Sequence, residues 1–283
     1  MLGNYINLIN YRWKPHSESK IKNILVAVSS EGKITHWQAA TGKVLHQMDE
    51  KENPIMCMDY NSDGTLFVTA GNDRQVRLYD DNMKSIVSIM KPGGLYNPGH
   101  SNRIFSACFH RSFLGMLATG GWDNTVQFYD VRSGTITNSI YGPHICGDAI
   151  DFKDFMLLTG SWSTDKQVQL WDIRTYKLIK TIEWDKEKKS EATYCYASQF
   201  NKEKNSSVFG VGCSNQNMVR LFDSENEDLP VMNTKLNKAC YAIDFSHIGK
   251  HFAFGSGDGI VRVLNVDSKD GNVKYNEKNN IEK

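Results

Sequence analysis

Short alternations of apolar and polar residues recur along the chain, and one five-residue pattern returns at regular intervals. The pattern reads apolar, polar, apolar, aromatic, Asp, and an alternation with a period of two is typical of β-strands. Clear copies occupy residues 76–80, 126–130, 168–172 and 219–223, and degenerate copies occupy 34–38 and 261–265. The final positions of successive copies are 42, 50, 42, 51 and 42 residues apart. This spacing indicates six copies of one structural unit.

Within each period the local signals follow a fixed order, which residues 103–140 illustrate. Strand-like runs are separated by turns rich in Gly, Asn, Asp and Ser, and they fall at 103–110, 116–119, 125–130 and 135–140. Four short strands in a unit of about 40–45 residues are typical of a propeller blade. The pattern therefore predicts an all-β fold of six four-stranded antiparallel blades, with seven as the alternative if the chain ends jointly form one more.

The repeats resemble those of the WD-repeat (WD40-type) β-propeller family over about residues 5–265. Trp171-Asp172 matches the dipeptide that names the family, while Gly99-His100 and Pro143-His144 resemble the Gly-His that opens its repeats. The resemblance implies a single closed propeller, which we expect to span residues 1–266. The polar segment 267–283 is expected to be a disordered tail, apart from a candidate last strand at 272–275.

The resemblance also implies a structural chain of hydrogen bonds within a blade, formed by His, Ser or Thr, a turn Asp and Trp. The matching residues are His100, Thr119, Asp123 and Tyr129 in blade three, and His144, Thr159, Asp165 and Trp171 in blade four. Tyr129 stands where the family has Trp. Blade two has Thr69 and Asp73 but no opening His. Such a network holds buried polar groups in place, so no catalytic role is assigned to these residues.

Composition narrows the range of functions. Lys and Arg number 33 against 32 Asp and Glu, without a basic stripe, which argues against direct nucleic-acid binding. Apolar runs are too short to cross a membrane, and the first residues do not resemble a signal peptide. The six cysteines occur singly, which favours reduced thiols and a cytoplasmic location, with the nucleus as the alternative.

The sequence offers no set of residues for catalysis, a metal or a cofactor. The nearest His–Cys pair, His144 and Cys146, lacks a second pair to complete a zinc site. The glycine-rich segment 254–259 is assigned to a strand-to-strand turn, because no helix follows that could receive a phosphate. We therefore expect a protein without catalytic residues, metal or cofactor.

The candidate partner surface lies on one rim of the propeller. Two tryptophans occupy equivalent turns of neighbouring blades, and a Pro/Gly-rich loop at 90–99 enters the same rim. The predicted surface consists of Trp122, Trp162, Tyr96, Arg74, Arg103 and Lys166. Aromatic and Arg side chains dominate the energetics of protein interfaces. The competing interpretation is that each Trp packs onto its own blade.

The favoured function is a protein-interaction scaffold that binds a peptide or a protein subunit within a multiprotein complex. An enzyme or small-ligand binder that uses the central channel is the alternative. This alternative depends on the acids Asp59, Asp151 and Asp244, which recur near the ends of three first strands.

Overall fold

The computed structural model describes residues 7–15, 22–93, 98–184, 192–225 and 230–266. Every helix or strand in these residues is a β-strand, and the strands form six antiparallel sheets. Five sheets have four strands and one has three. In each sheet the neighbours are strands that follow one another along the chain. The predicted all-β propeller with six blades is confirmed.

The chain forms two compact units, Met1–Gly142 with blades one to three and Pro143–Lys283 with blades four to six. Blade one contains β1 (Leu8–Trp13), β2 (Ile24–Ser29), β3 (Lys33–Gln38) and β4 (Lys43–Asp49). Blade two contains β5 (Ile55–Tyr60), β6 (Leu66–Gly71), β7 (Val76–Asp80) and β8 (Ser85–Met90). Blade three contains β9 (Ile104–Phe109), β10 (Met116–Gly121), β11 (Thr125–Asp130) and β12 (Thr135–Tyr141).

The second unit continues the same pattern. Blade four contains β13 (Ile150–Lys153), β14 (Met156–Gly160), β15 (Val168–Asp172) and β16 (Lys177–Ile182). Blade five contains β17 (Tyr194–Phe200), β18 (Val208–Ser214), β19 (Met218–Asp223) and β20 (Pro230–Lys235). Blade six contains β21 (Cys240–Phe245), β22 (His251–Ser256) and β23 (Val261–Asn265). The candidate strand at 272–275 and the tail from 267 lie outside the described residues.

Burial follows the position of a strand in its blade. In blades two to five the second and third strands are mostly buried on both faces, which explains their nearly continuous apolar runs, whereas the fourth strands have mostly exposed or half-buried side chains. In blade six, β22 and β23 are largely exposed or half-buried. Within each unit, neighbouring blades pack face to face. In the first unit, Met58, Tyr60 and Phe67 of blade two pack in one core cluster with Val26 and Val28 of blade one.

Side chains of the first strands also tie neighbouring blades together by accepting backbone hydrogen bonds. Asp59 Oδ2 accepts from the N–H of Phe109 at 2.9 Å, and Asp151 Oδ2 accepts from the N–H of Phe200 at 2.8 Å. Gln199 Oε1 accepts in the same way from the N–H of Phe245, at 2.8 Å. Each bond links one blade to the next blade along the chain, and each satisfies a backbone donor near the core.

No helix in the described part of the chain is long and apolar enough to cross a membrane.

Candidate protein-interaction surface

In blade three the structure joins His100, Asp123 and Thr119 in a buried chain of hydrogen bonds. His100 Nδ1 lies 2.8 Å from Asp123 Oδ2, and Nε2 lies 2.7 Å from Thr119 Oγ1. Because a carboxylate only accepts, Nδ1 donates to Asp123, and Nε2 completes the link to the Thr119 hydroxyl. Tyr129 donates its hydroxyl to Gln127 Oε1 at 3.0 Å. Buried hydrogen bonds inside the blade therefore hold the turn after β10 in place.

The environment of Asp123 stabilises its ionised form. Burial by itself raises the pKa of this carboxyl, but the hydrogen bond and charge of His100, with hydrogen bonds from Thr125 and the N–H of Ser101, outweigh it and lower the pKa below its ordinary value of 3.8. The distances agree, since Thr125 Oγ1 donates to Asp123 Oδ1 at 2.8 Å and the N–H of Ser101 to Oδ2 at 3.0 Å. Asp123 is thus a structural anion.

Blade four forms only part of the predicted chain. Trp171 Nε1 donates to Thr159 Oγ1 at 3.0 Å, which joins these two residues as expected. Asp165 differs from the prediction: it is exposed, and its backbone carbonyl, not its carboxylate, accepts from Ser163 Oγ. The backbone N–H of His144 donates to Ser161 Oγ at 3.0 Å. Two more residues lie between the last paired residues Gly160 and Val168 than between Gly120 and Val126 of blade three, and this longer turn carries Asp165 away from the blade.

Blade two has an equivalent network centred on Glu50, which the sequence pattern did not indicate. Tyr79 donates its hydroxyl to Glu50 Oε1 at 2.8 Å, and Thr69 donates to the same oxygen. Asn53 Nδ2 donates to Oε2 at 2.6 Å, and Arg77 Nη1 lies 3.1 Å from that oxygen. A carboxylate from the segment before β5 thus takes the place of the missing opening His.

A second buried carboxylate, Asp81, joins blades one and two. Asp81 Oδ1 lies 2.9 Å from His36 Nε2 and accepts from the Tyr60 hydroxyl at 2.7 Å. Lys14 and Lys84 donate to the same carboxylate at 2.5 and 2.9 Å. Burial opposes ionisation, but these four hydrogen bonds hold the pKa of Asp81 far below its ordinary value. The cluster thus links blades one and two, and removal of one partner would leave a buried charge unpaired.

Trp122 is held against the rim of the first unit by two contacts. Its ring stacks on Phe105 with centroids 5.0 Å apart, and the guanidinium of Arg103 lies 5.5 Å from its centroid. Its backbone N–H donates to the carbonyl of Arg103 at 3.0 Å. A Cβ on Gly121 would overlap that carbonyl, so glycine allows this close approach. Trp122 remains 37% exposed, so it is both packed on its own blade and accessible.

Trp162 belongs to a larger group of aromatic side chains in the second unit, which we call the blade-four patch. Its ring stacks on Tyr194 of blade five with centroids 4.6 Å apart. The centroid of the His144 ring lies 6.1 Å from that of Trp162. Tyr196 and Tyr241 form a second pair of rings, with centroids 5.0 Å apart. Trp162 is 37% exposed and Tyr241 is 54% exposed. The patch comprises His144, Trp162, Tyr194, Tyr196 and Tyr241.

Of the remaining residues of the predicted surface, two lie in turns and one lies outside the residues that the structure describes. Arg74 and Lys166 are exposed residues with positive φ, in the turns after β6 and β14 that correspond to the turn of Trp122. Tyr96 lies outside the described residues. Within the described ranges, no group of three or more His, Cys, Asp or Glu side chains could hold a metal ion.

Comparison with known protein families identifies two of the repeats directly. The family model described as "WD domain, G-beta repeat" matches residues 42–80 and 93–130. The first match ends with the third strand of blade two, and the second ends with the third strand of blade three.

Similar proteins carry different names. The Striatin homolog of Dictyostelium discoideum is 21% identical over 63% of this chain and 22% of its own length. The E3 ubiquitin-protein ligase COP1 of Arabidopsis thaliana is 24% identical over 60% of this chain and 24% of its own length. The mRNA export factor GLE2 of Chaetomium thermophilum is 24% identical over 88% of this chain and 69% of its own length. The chain thus spans about a quarter or less of the first two relatives.

Among solved structures, the one titled "Structure of U3-55K" matches 97% of this chain and 82% of its own chain, with a TM-score of 0.75 and 12% identity. At that identity the match supports the fold alone. The two matched repeats and the six blades together show that this chain carries WD repeats in a β-propeller and is similar to WD-repeat proteins.

Proposed function

We propose that the protein is a non-catalytic scaffold that binds a peptide or a protein subunit through aromatic side chains at the turns after β10 and β14. The observation that carries the proposal is the blade-four patch, where the ring pairs Trp162–Tyr194 and Tyr196–Tyr241 present partly exposed aromatic surface. Such rings offer large contact area at a low cost in conformational entropy. Trp122 with Arg103 and Phe105 provides a second aromatic contact in the first unit.

The similar proteins support a binding module rather than one conserved reaction. Their names range from mRNA export factor to E3 ubiquitin-protein ligase, and this chain corresponds to 24% of the latter. Similar repeats therefore occur in proteins with different named functions, which is what we expect of a scaffold within a multiprotein complex. The proposal includes a cytoplasmic or nuclear location, and partners that are proteins rather than nucleic acids or membranes. The singly spaced cysteines and the net charge of +1 support these parts.

The contacts of the three channel acids support the scaffold over the alternative of a channel enzyme. Asp59 and Asp151 each accept a backbone hydrogen bond from the next blade, and Asp244 pairs with Lys202 at 2.6 Å. These structural contacts are enough to explain why the three acids occupy these positions, without a catalytic role.

The test compares the double variant Trp122→Ala, Trp162→Ala with the control Phe113→Ala, Phe155→Ala. The control changes exposed aromatic residues at the opposite ends of β10 and β14. Tagged full-length chains are purified from the source cells, co-purifying proteins are quantified, and Kd values follow with the purified partner. We expect the tryptophan variant to lose at least about 2 kcal/mol of affinity, the usual threshold for a hot spot, and the control to retain it.

Equal partner recovery by both double variants would show that this surface is not the binding site. Because the net charge is close to zero, moderate salt is expected to weaken binding only slightly.

A further inference from the structure

His36 is a buried histidine in β3, at the junction of blades one and two. Its side chain is 1% exposed, and Nε2 lies 2.9 Å from Asp81 Oδ1. Because a carboxylate only accepts, Nε2 carries a proton and donates to Asp81. Nδ1 is also buried, but it has no hydrogen-bond partner among the described residues. A second proton on the ring would have to bind at Nδ1, at a position without an acceptor for it.

The carboxylate that holds His36 is already shared with two lysines. Asp81 accepts from Lys14 at 2.5 Å and from Lys84 at 2.9 Å. It also accepts from the hydroxyl of Tyr60 at 2.7 Å. One carboxylate thus faces two ammonium groups, so the cluster has an excess positive charge while His36 is neutral. Protonation of His36 would add a second excess charge at a buried position, where charges are poorly solvated.

The other neighbours of His36 are aromatic rings. The centroids of Phe67 in β6 and His46 in β4 lie 5.8 and 6.1 Å from that of His36, both in edge-on contacts. Burial lowers the pKa of His36 from its ordinary value of 6.5, and together with the charges of Lys84 and His46 it outweighs the opposite effect of Asp81. The titratable and charged groups that face His36 in the described residues are Asp81, Lys14, Lys84, Tyr60 and His46.

The same cluster fastens two blades to each other. Lys14 follows β1 and His36 lies in β3, so both belong to blade one. Tyr60 ends β5, Asp81 follows β7 and Lys84 precedes β8, so these three belong to blade two. Any change that separates His36 from Asp81 therefore acts on the contact between the blades.

We propose that the junction of blades one and two is a pH-sensitive device, which loosens when the His36 imidazole is protonated in mildly acidic solution. The proton on Nδ1 would create a buried N–H without an acceptor, and a buried charge whose carboxylate is already neutralised. Both are desolvation costs, and both are relieved when the junction opens and water reaches the ring. Protonation therefore favours the open junction.

The direction of the pH effect follows from the proton affinities of the two states. In the open junction the solvated ring has the ordinary pKa of about 6.5, whereas the pKa of the buried ring is lower. The stabilisation of the closed junction is therefore complete above about pH 6.5, and it is lost as the pH falls from there towards the lower pKa. For one histidine that stays neutral in the closed state, the equilibrium constant for opening rises about tenfold from pH 7.5 to pH 5.5.

Hydrogen exchange of the full chain between pH 7.5 and 5.5 tests the proposal, with rates corrected for the intrinsic pH dependence of amide exchange. We expect the protection of β3 and β5 in the wild type to fall about tenfold over this range. In His36→Gln it should stay constant, because Gln keeps an N–H that can donate to Asp81 but does not titrate. His247→Gln is the matched control, since His247 is exposed in blade six and its loss should leave the wild-type response unchanged. Equal pH responses of the wild type and His36→Gln would overturn the proposal.

Nuclear magnetic resonance of the wild type follows the ring itself, so the proposal can be tested even if His36→Gln fails to fold. The His36 Cε1–Hε1 signal of the closed form should keep the position of a neutral imidazole down to pH 5.5. A His36 ring that becomes protonated at about pH 6.5 or above, while β3 and β5 keep full protection, would contradict the device.

Discussion

Glu50 accepts the hydroxyl hydrogen bond of Tyr79 at 2.8 Å, from a segment that precedes the blade to which Tyr79 belongs. In blade three, the residue that reaches the corresponding Thr is His100. Thr69 and Thr119 occupy the same position in their blades, but Thr69 is hydrogen-bonded to a carboxylate and Thr119 to an imidazole. A carboxylate can only accept, so it needs the donors Tyr79, Thr69 and Asn53 around it.

Replacement of Glu50 by Gln should lower the free energy of unfolding by about 1.5–3 kcal/mol, the range for hydrogen bonds to a charged group. Gln keeps the shape, but its amide nitrogen would face either the hydroxyl donors or the Asn53 amide and the Arg77 guanidinium. Urea unfolding at neutral pH measures the change. The control Glu52→Gln alters an exposed neighbour and should stay within about 0.5 kcal/mol of the wild type. Equal effects of the two variants would contradict the network.

Asp123→Ala and Asp165→Ala should differ, although the two residues hold similar places in the sequence repeat. Asp123 anchors His100, Thr125 and Ser101, so its loss should cost about 1–3 kcal/mol of unfolding free energy. Asp165 is exposed, so its replacement should change the free energy of unfolding by less than about 0.5 kcal/mol. Thermal and urea unfolding of both variants provide the comparison. A larger loss in Asp165→Ala would restore the original assignment of blade four.

The stability contributed by Asp123 should depend on pH in the acid range. Its pKa in the folded protein lies below the ordinary value of 3.8, so the ionised form stabilises the fold above that pH. This contribution is lost as the pH falls from about 3.8 through the lower folded pKa. Asp123→Asn removes the titrating group. The difference in unfolding free energy between wild type and variant should therefore shrink on going from pH 5 to pH 3, and a constant difference would contradict the assignment.

Asp59→Ala should destabilise the protein by about 1–3 kcal/mol, because the buried N–H of Phe109 loses its acceptor. Asp244→Ala serves as the control, since the Asp244 side chain is 66% exposed and its pair with Lys202 is a surface pair. Equilibrium unfolding measures both effects. An Asp59→Ala protein with unchanged stability would reopen the possibility of a channel acid with a chemical role.

The repeat pattern predicted the fold well, because each copy marks the third strand of a blade. All six copies, including the degenerate ones at 34–38 and 261–265, fall on observed third strands. The alternation of apolar residues is set by the strand period itself, so it survives even where the family signature is weak.

Side-chain networks were predicted less completely, for two physical reasons. His100, Thr119 and Asp123 follow the family spacing and are hydrogen-bonded, but Asp165 lies in a longer turn, and spacing alone does not reveal where that turn points. Glu50 was missed because a carboxylate and an imidazole fill the same position with opposite donor properties. A local signal was Asn53, whose side chain donates to Glu50 three residues earlier, but the contacts with Thr69 and Tyr79 appear only in the folded blade.

Every sheet pairs strands that are consecutive in the chain, and this arrangement has a consequence for how the protein is made. Almost all ladder contacts join residues close in sequence, so each blade has a low contact order and can form its hydrogen bonds without waiting for distant segments. During synthesis, a blade can be completed soon after its last strand leaves the ribosome. Its exposed apolar face then serves as the template on which the following blade condenses, so folding is expected to proceed from the amino terminus towards the carboxyl terminus.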